Sequence, residues 1–252
     1  MEHGWVNFSC ENGIGKIEFG HPQSNSLPST LLQTLAEQIA EADKSPDVKI
    51  LVLSSSGEKT FCAGASFDEL CSIKNAEEGL RFFSGFAKVI NACRTAEKLI
   101  IGRIQGRAVG GGVGLAAATD YCLATVKADV KLSELAVGIG PFVVGPAVER
   151  KIGLAAMSEL TINASEWRTA EWAKSKGLYA EIFESLDLLD EATNSLANRL
   201  STSNVDAMKE LKRVFWKGTE HWEQLLLDRA KISGKLVLSD FTRNAIAAFK
   251  TK

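Results

Sequence analysis

GRAVGGGVGLAAA, residues 106–118, is the stretch of sequence that decides the fold. It follows a short apolar run, residues 99–104, that is typical of a buried strand. Three consecutive glycines, residues 110–112, precede small apolar residues that suit a helix packed closely on a sheet. The first N–H groups of such a helix have no intrahelical acceptor and attract negative charge. The stretch predicts a strand, a glycine turn and a helix, which either stabilises an oxyanion or serves close packing alone.

This stretch matches neither of two known nucleotide-binding motifs. Counting GxGxxG from Gly110 places Leu115 at the third glycine position, so the dinucleotide fingerprint is not met. The phosphate-loop motif fails as well, because no Gly-Lys-Ser or Gly-Lys-Thr follows the glycines. The sequence therefore gives no support to a nucleotide site here.

Two further segments contain residues suited to chemistry. FCAGAS, residues 61–66, is a turn of small residues that leaves backbone N–H groups accessible to a ligand. LSEL, residues 132–135, places Glu134 inside an apolar stretch that continues as GIGP, residues 138–141. Burial would raise the pKa of Glu134 and suit it to proton transfer near neutrality. Taken alone, the first segment can also be interpreted as a tight turn without function. Likewise, Glu134 in the second can be interpreted as a helix-capping or surface carboxylate.

The composition excludes several classes of function. The 252 residues include 29 Lys and Arg against 31 Asp and Glu, and the net charge of −2 argues against nucleic acid or a membrane as the main partner. The sequence predicts neither a membrane-spanning segment nor a signal peptide. Five cysteines without a CxxC pair are expected as reduced thiols in a cytoplasmic protein. Three widely separated histidines make a metal site improbable, and none is expected.

Hydrophobic periodicity predicts an α/β fold. Strands are expected at residues 14–19, 48–53, 99–104 and 121–125. Helices are expected after an N-cap at Ser29 or Thr30, at residues 80–92, at residues 169–176 with Gly177 ending the helix, and through most of the chain from residue 186. Two parts are predicted, a core of residues 1–190 and a helical region of residues 191–252.

Together these segments resemble one known family. In order and spacing, residues 61–66, 106–120 and 133–153 are similar to the crotonase, or enoyl-CoA hydratase/isomerase, superfamily, and so are the turn at residues 25–27 and the segment 169–178. The string LSE…GIGPFVVGP most closely resembles the methylglutaconyl-CoA hydratase-like subgroup. The resemblance implies a crotonase-like spiral of ββα turns. Its helical C-terminal region would cover the active site and form homotrimers, or homohexamers built as dimers of trimers.

The resemblance also implies an acyl-CoA thioester substrate from fatty acid or amino acid catabolism. Because the substrate carries the coenzyme A, no separate cofactor is expected. The backbone N–H groups of Ala65 and Gly111 would form an oxyanion hole for the thioester carbonyl. Further substrate-binding positions are implied at Ala63, Ser66, Phe67, Gly110, Gly114 and Pro141. Lys231 or Lys235 would meet the CoA phosphates.

One departure from the family pattern leaves the reaction open. Typical hydratases carry two glutamates twenty positions apart, and here the first position is Gly114 while the second is the catalytic candidate Glu134. A lone glutamate suits Δ3–Δ2 isomerisation, in which one acid moves a proton between two carbons, and does not easily activate water as well. The subgroup motif nevertheless favours hydration of a branched or dicarboxylic enoyl-CoA, assisted by a carboxylate on the substrate. The alternatives are the isomerase and a non-catalytic acyl-CoA-binding subunit.

Other conspicuous residues are expected to be structural. A peptidase of the same fold is excluded, because residues 106–118 contain no serine nucleophile. Cys62 is expected in the core, and Asp120 in a cap or a salt bridge. Core or subunit contacts are expected of Trp167, Trp172, Trp216 and Trp222.

Overall fold

The computed structural model describes residues 4–250, without the side chains of residues 249 and 250. The strands are β1 (Trp5–Glu11), β2 (Ile14–Gly20), β3 (Ile50–Ser55), β4 (Thr60–Cys62), β5 (Ile100–Ile104), β6 (Arg107–Val109), β7 (Tyr121–Thr125), β8 (Val130–Lys131) and β9 (Glu181–Phe183). The helices are α1 (Ser29–Lys44), α2 (Phe67–Ser72), α3 (Ala76–Thr95), α4 (Gly111–Ala118), α5 (Gly145–Ile162), α6 (Ala170–Ser175), α7 (Leu186–Ser201), α8 (Val205–Phe215), α9 (Trp222–Leu236) and α10 (Asp240–Lys250). A 3₁₀ turn, Glu134–Val137, lies between β8 and α5.

The strands form two sheets, and the α/β fold expected from the sequence is confirmed. The larger sheet has the order β1-β2-β3-β5-β7-β9, and the smaller has the order β4-β6-β8. β1 and β2 form an antiparallel hairpin around Asn12 and Gly13, which both have positive φ angles, as a tight hairpin turn requires. The other strand pairs are parallel. Parallel strands are normally covered on both faces, which explains why Ile50 to Leu53 are all buried.

Helices cover both faces of the larger sheet. α1 and α3 bury their apolar residues in the main core, which also contains α4. The opposite face is covered by α7 and α8 through Leu189, Ala197 and Met208. The expected division after residue 190 therefore falls inside α7, a helix that packs directly on the sheet. None of the helices described between residues 4 and 250 is long and apolar enough to cross a membrane.

The predicted strands are confirmed, but the predicted cap of the first long helix is wrong. β2, β5 and β7 lie within a residue of their expected positions, and β3 lies two residues later than expected. α1 begins at Ser29, with Pro28 as its N-cap residue and without a side-chain cap. Instead, Glu69 Oε2 accepts hydrogen bonds from the N–H and the hydroxyl of Ser29, at 2.8 and 2.7 Å. A carboxylate forty residues away thus satisfies the helix terminus.

Helix α9 crosses α3 at a point where two glycines face each other. A Cβ atom placed on Gly79 of α3 would lie 2.8 Å from the Cα atom of Gly234 in α9. Real side chains do not tolerate such a distance, so the two backbones are in direct contact. This contact holds α9 against the helix that carries several aromatic residues of the site described below.

Asp120 connects the C-terminal helices to the larger sheet. Its Oδ2 atom accepts hydrogen bonds from the backbone N–H of Ile100, at 2.7 Å, and from Lys212 Nζ of α8, at 2.6 Å. Its Oδ1 atom accepts one from the indole N–H of Trp216, at 2.7 Å. Both charged side chains are almost completely buried, so the salt bridge expected of Asp120 is confirmed.

Candidate active site

Two glycine-bearing loops meet at the carboxyl ends of β4 and β6. The two strands are parallel neighbours, so the segments that follow them leave the smaller sheet on the same side. Gly64 and Gly110 have φ angles of +92° and +53°, which allow the sharp turns after the strands. A Cβ atom on Gly64 would lie 3.5 Å from the backbone nitrogen of Gly111. The fold therefore places the loop containing Ala65 against the first residue of α4.

The N–H groups of Ala65 and Gly111 are available to a ligand. Among residues 4–250, neither N–H donates a hydrogen bond in a turn or loop, and both residues line one cavity. Gly111 is the first residue of α4, where an N–H has no acceptor within the helix. A Cβ atom at this position would lie 2.1 Å from Cζ of Phe86, so the ring packs directly on the glycine. Both donors thus lie at one cavity, as an oxyanion hole requires, and their joint action on one oxygen atom stays a prediction.

Glu134 brings a carboxyl group to the same cavity. It begins the 3₁₀ turn after β8, and its Oε1 atom lies 3.0 Å from where a Cβ atom on Gly110 would be. The residue as a whole is partly exposed, but its Oε2 atom is buried and finds no hydrogen-bond partner among the described residues. Burial disfavours the charged form and raises the pKa of Glu134 to about 7. Such a group accepts and returns protons readily near neutral pH.

The cavity itself has a volume of about 370 Å³ and a mainly apolar wall. α2, α3 and the segment after the 3₁₀ turn supply Phe67, Leu70, Phe82, Phe83, Phe86, Ile139, Phe142 and Val143. Of the described residues that line it, Glu134 and Lys131 are the ones with ionisable side chains. An apolar wall around few polar groups is typical of a small-molecule site.

The structure brings most of the sequence-predicted site residues together. The cavity is lined by Ala63, Ala65, Phe67, Gly110, Gly111, Glu134 and Pro141. Ser66 does not line it; its side chain is turned to α2, where the hydroxyl oxygen accepts a hydrogen bond from the N–H of Glu69 at 3.3 Å. The roles of all these sequence-predicted residues in substrate binding and catalysis stay predictions.

Gly114 also stays outside the cavity wall, for a different reason. A Cβ atom on Gly114 would lie 2.5 Å from Cγ1 of Val144, so the valine fills the space beside the glycine. Val144 itself lines the cavity. A glutamate at position 114 would therefore require Val144 to move, and Glu134 has no second carboxylate beside it among the described residues that line the cavity.

Three other sequence-based expectations can be placed in the structure. Cys62 is fully buried, and burial raises the pKa of its thiol to about 12, so it is a core residue as expected. Trp216 and Trp222 are buried in the core and pack edge to face, which is also as expected. Lys231 forms an ion pair with Asp228 at 2.9 Å, and neither Lys231 nor Lys235 is among the described residues that line the cavity.

Sequence reasoning missed three features of the cavity. Phe82, Phe83 and Phe86 belong to the helix expected at residues 80–92, but amphipathic spacing alone does not separate a cavity wall from the core. Lys131 lies three residues before Glu134 and carries no motif of its own. The position of Val144 follows from a tertiary contact with Gly114 and has no local sequence signal.

Comparison with known proteins agrees with this geometry. The family model described as enoyl-CoA hydratase/isomerase matches residues 9–250. The chain belongs to this family. The match covers both glycine-bearing loops, Glu134 and the C-terminal helices.

Members of the family that resemble the chain have both hydratase and isomerase names. The short-chain-enoyl-CoA hydratase of Clostridium acetobutylicum is 26% identical over 100% of this chain and 97% of the relative. The peroxisomal Δ(3,5)-Δ(2,4)-dienoyl-CoA isomerase of Arabidopsis thaliana is 27% identical over 89% of this chain and 84% of the relative. The crystal structure of an enoyl-CoA hydratase from Bacillus halodurans superposes with a TM-score of 0.89 at 22% identity, over 97% of this chain and 99% of that chain. The fold is thus that of the crotonases, and the chain is an enzyme of the hydratase/isomerase type.

Proposed function

We propose that the protein isomerises an enoyl-CoA thioester, moving the double bond from the Δ3 to the Δ2 position with Glu134 as the single acid–base. One observation carries this proposal: Val144 occupies the space beside Gly114, so the described residues that line the cavity include one carboxyl group, where typical hydratases use two. The reaction needs no cofactor apart from the coenzyme A of the substrate.

The proposed reaction uses the two backbone donors first. The thioester carbonyl oxygen lies between the N–H groups of Ala65 and Gly111, which stabilise negative charge on it. Glu134 in its carboxylate form removes a proton from the α-carbon, and the electron pair delocalises into a dienolate whose charge rests on that oxygen. Each such donor is typically worth about 10²–10³ in rate.

The second half of the reaction returns the same proton. Glu134, now a carboxylic acid, delivers it to the γ-carbon while the carbonyl re-forms and the double bond appears between the α- and β-carbons. No water and no redox partner is consumed, and all atoms balance. A pKa of about 7 supports both directions, because neither form of the carboxyl group is strongly disfavoured near neutral pH.

Hydration of a branched or dicarboxylic enoyl-CoA of the methylglutaconyl type is the second candidate. The segment that favours it, LSE…GIGPFVVGP, forms the wall around Glu134 and Val144. In this reaction a carboxylate of the substrate would assist the attacking water. The third candidate is a non-catalytic subunit that binds acyl-CoA. Two further predictions are that the chain assembles as a homotrimer or homohexamer and that it is cytoplasmic.

A small panel of thioesters in deuterated water tests the proposal. Crotonyl-, 3-hexenoyl- and 3-methylglutaconyl-CoA are incubated with the enzyme, and the products are separated and read by mass. Conversion of 3-hexenoyl-CoA to the 2-enoyl isomer without added water supports isomerisation. A mass gain of one water on methylglutaconyl-CoA, without isomerisation of 3-hexenoyl-CoA, would replace it with the hydratase.

Two glutamate variants complete this experiment. Glu134→Gln should slow product formation by about 10²–10⁴, whereas Glu149→Gln, at an exposed position of α5, should leave it unchanged. Binding of the thioesters without conversion or deuterium incorporation by the unmodified protein would instead favour the non-catalytic subunit.

A further inference from the structure

The side of the cavity formed by the smaller sheet carries positive charge. Val109 of β6 and Lys131 of β8 are paired across the two strands, and both line the cavity. Arg107 lies two residues before Val109, so it lies on the same face of the sheet. The cations Lys131 and Arg107 therefore lie along one face that leads away from the two backbone donors.

The indole ring of Trp167 makes cation–π contacts with both cations. The guanidinium carbon of Arg107 lies 4.9 Å from the centre of the indole, and Nζ of Lys131 lies 5.6 Å from it. Lys131 Nζ also donates a hydrogen bond to the carbonyl oxygen of Ser165 at 2.7 Å, and Ser165 lines the cavity as well. The ammonium group is thus held at the cavity wall, and the arginine lies behind it on the same indole.

No carboxylate in the part of the chain that the structure describes forms an ion pair with these cations, Lys131 and Arg107, although Asp129 and Glu166 are close in sequence. Two cations on one indole repel each other, and an anion that contacts the lysine would relieve the repulsion. An ammonium group retains two further donors after the bond to Ser165.

The position of Lys131 fits a short acyl chain with a charged end. Lys131 lies opposite Val109, two residues before Gly111, and it lines the same cavity as Ala65, Gly111 and Glu134. Of the described residues that line this cavity, Lys131 is the one with a cationic side chain. A five-carbon diacid spans roughly 5 Å between its two carboxyl carbons, so both of its ends can lie within the cavity.

We propose that Lys131, supported by Arg107 on Trp167, binds a free carboxylate at the far end of the acyl group. The enzyme would then select thioesters of short dicarboxylic acids over thioesters of monocarboxylic acids of equal length. The inference rests on the proposed function in one respect, that the cavity binds acyl-CoA thioesters.

The test compares two saturated ligands that differ in one group. Glutaryl-CoA and valeryl-CoA have acyl chains of the same length, one ending in a carboxylate and the other in a methyl group. Their dissociation constants are measured by isothermal titration for the unmodified protein, Lys131→Met, Arg107→Met and the control Lys127→Met, which alters an exposed lysine outside the cavity. Because the ligands are saturated, no turnover is needed.

The proposal gives a distinct pattern of affinities. Lys131→Met should weaken binding of glutaryl-CoA about tenfold to a hundredfold and change binding of valeryl-CoA less than about threefold, as expected for loss of a charged hydrogen bond. Arg107→Met should give a smaller loss of the same selectivity, and Lys127→Met none. Retained binding of valeryl-CoA also shows that each variant is folded.

Three other results would overturn the proposal. An equal loss for both thioesters in Lys131→Met would place the lysine against a CoA phosphate, and no loss for either would give it no role in binding. If the unmodified protein bound neither thioester, the proposed function itself would fail. That outcome is distinguishable from the first two, in which thioesters still bind to the unmodified protein.

Discussion

The environment of Glu134 determines both its acid–base behaviour and its effect on the stability of the protein. The carboxyl group lies against the backbone at Gly110, and its Oε2 atom is buried without a hydrogen-bond partner among the described residues. An ordinary exposed glutamate would be fully ionised at neutral pH and a weak base. Here burial raises the pKa to about 7, so the group is a stronger base when ionised and a usable acid when protonated.

The rate of isomerisation should depend on the ionisation of Glu134. With saturating 3-hexenoyl-CoA, the rate should rise as the pH rises through about 7 and then level off, because the carboxylate form removes the α-proton. Glu134→Gln should lower the rate by about 10²–10⁴ while leaving thioester affinity largely intact. A rate that falls with rising pH over this range, or normal turnover by the glutamine variant, would remove Glu134 from the mechanism.

The same burial predicts a pH-dependent stability difference. The folded-state pKa lies above the unfolded value, so the protonated folded form is favoured and stability is lost as the pH rises from about 4.5 towards about 7. Glu134→Gln removes this loss, and should be more stable than the unmodified protein at about pH 8 by at most about 3 kcal/mol, with little benefit at about pH 4. Urea unfolding at both pH values measures it. A benefit of equal size at both pH values would show that ionisation is not its cause.

At the scale of elements, α4 packs on the beginning of α5 without room for a side chain. The Gly114 backbone faces Val144, just before α5, and the valine side chain forms part of the cavity wall. The two elements therefore fix the shape of the wall beside Glu134 through one glycine–valine contact.

A double-mutant cycle measures this contact. Gly114→Ala should destabilise the protein by about 1–3 kcal/mol, because the new methyl group would lie 2.5 Å from Val144 Cγ1. Val144→Ala, which makes room, should restore part of the loss, so that the two changes are coupled by about 0.5–3 kcal/mol. The free energies of unfolding of both single variants and the double variant give the coupling. Strict additivity would mean that the contact has no energetic role.

The elements differ in how well the sequence predicts them. Strands such as β2 and β7 were found because alternation or a short apolar run lies between turn residues. β1 was missed although Asn12 and Gly13 form the dipeptide that is typical of tight hairpins. β4, β6 and β8 have two or three residues each, too few for a period, and they exist because neighbouring strands pair with them.

The residues of the candidate site also differ in how well the sequence predicts them. The two loops and Glu134 were predictable because they carry glycine motifs and an isolated acid in an apolar stretch. Val144 and Lys131 were not, since their roles depend on residues 30 and 36 positions away in the chain, Gly114 and Trp167. The cap of α1 failed for a similar reason, because its acceptor Glu69 lies in another helix.

At the scale of the whole molecule, a buried ion pair holds the C-terminal helices on the sheet. Asp120 accepts hydrogen bonds from β5, from Lys212 in α8 and from Trp216 directly after it. Removal of one partner of a buried pair leaves an uncompensated charge, which costs far more than the pair contributes.

Lys212→Met should therefore destabilise the protein by about 3–5 kcal/mol, as measured by urea unfolding. Asp120→Asn combined with Lys212→Met should be less destabilised than Lys212→Met alone, because no buried charge is left unpaired. Lys209→Met is the control, since it removes a partly exposed ion pair with Glu97 and should cost less than about 1 kcal/mol. Similar losses for Lys212→Met and Lys209→Met would contradict the role given to burial.

The contact between Gly79 and Gly234 also affects the cavity, although neither glycine lines it. Gly234 follows Ser233, and Gly79 lies one turn before Phe82 and Phe83; these three residues line the cavity. The separation of α3 and α9 at this crossing thus contributes to the width of the cavity. Substituting a bulkier residue for Gly234 would force the two helices apart and so alter the cavity, while every residue of its wall kept its identity.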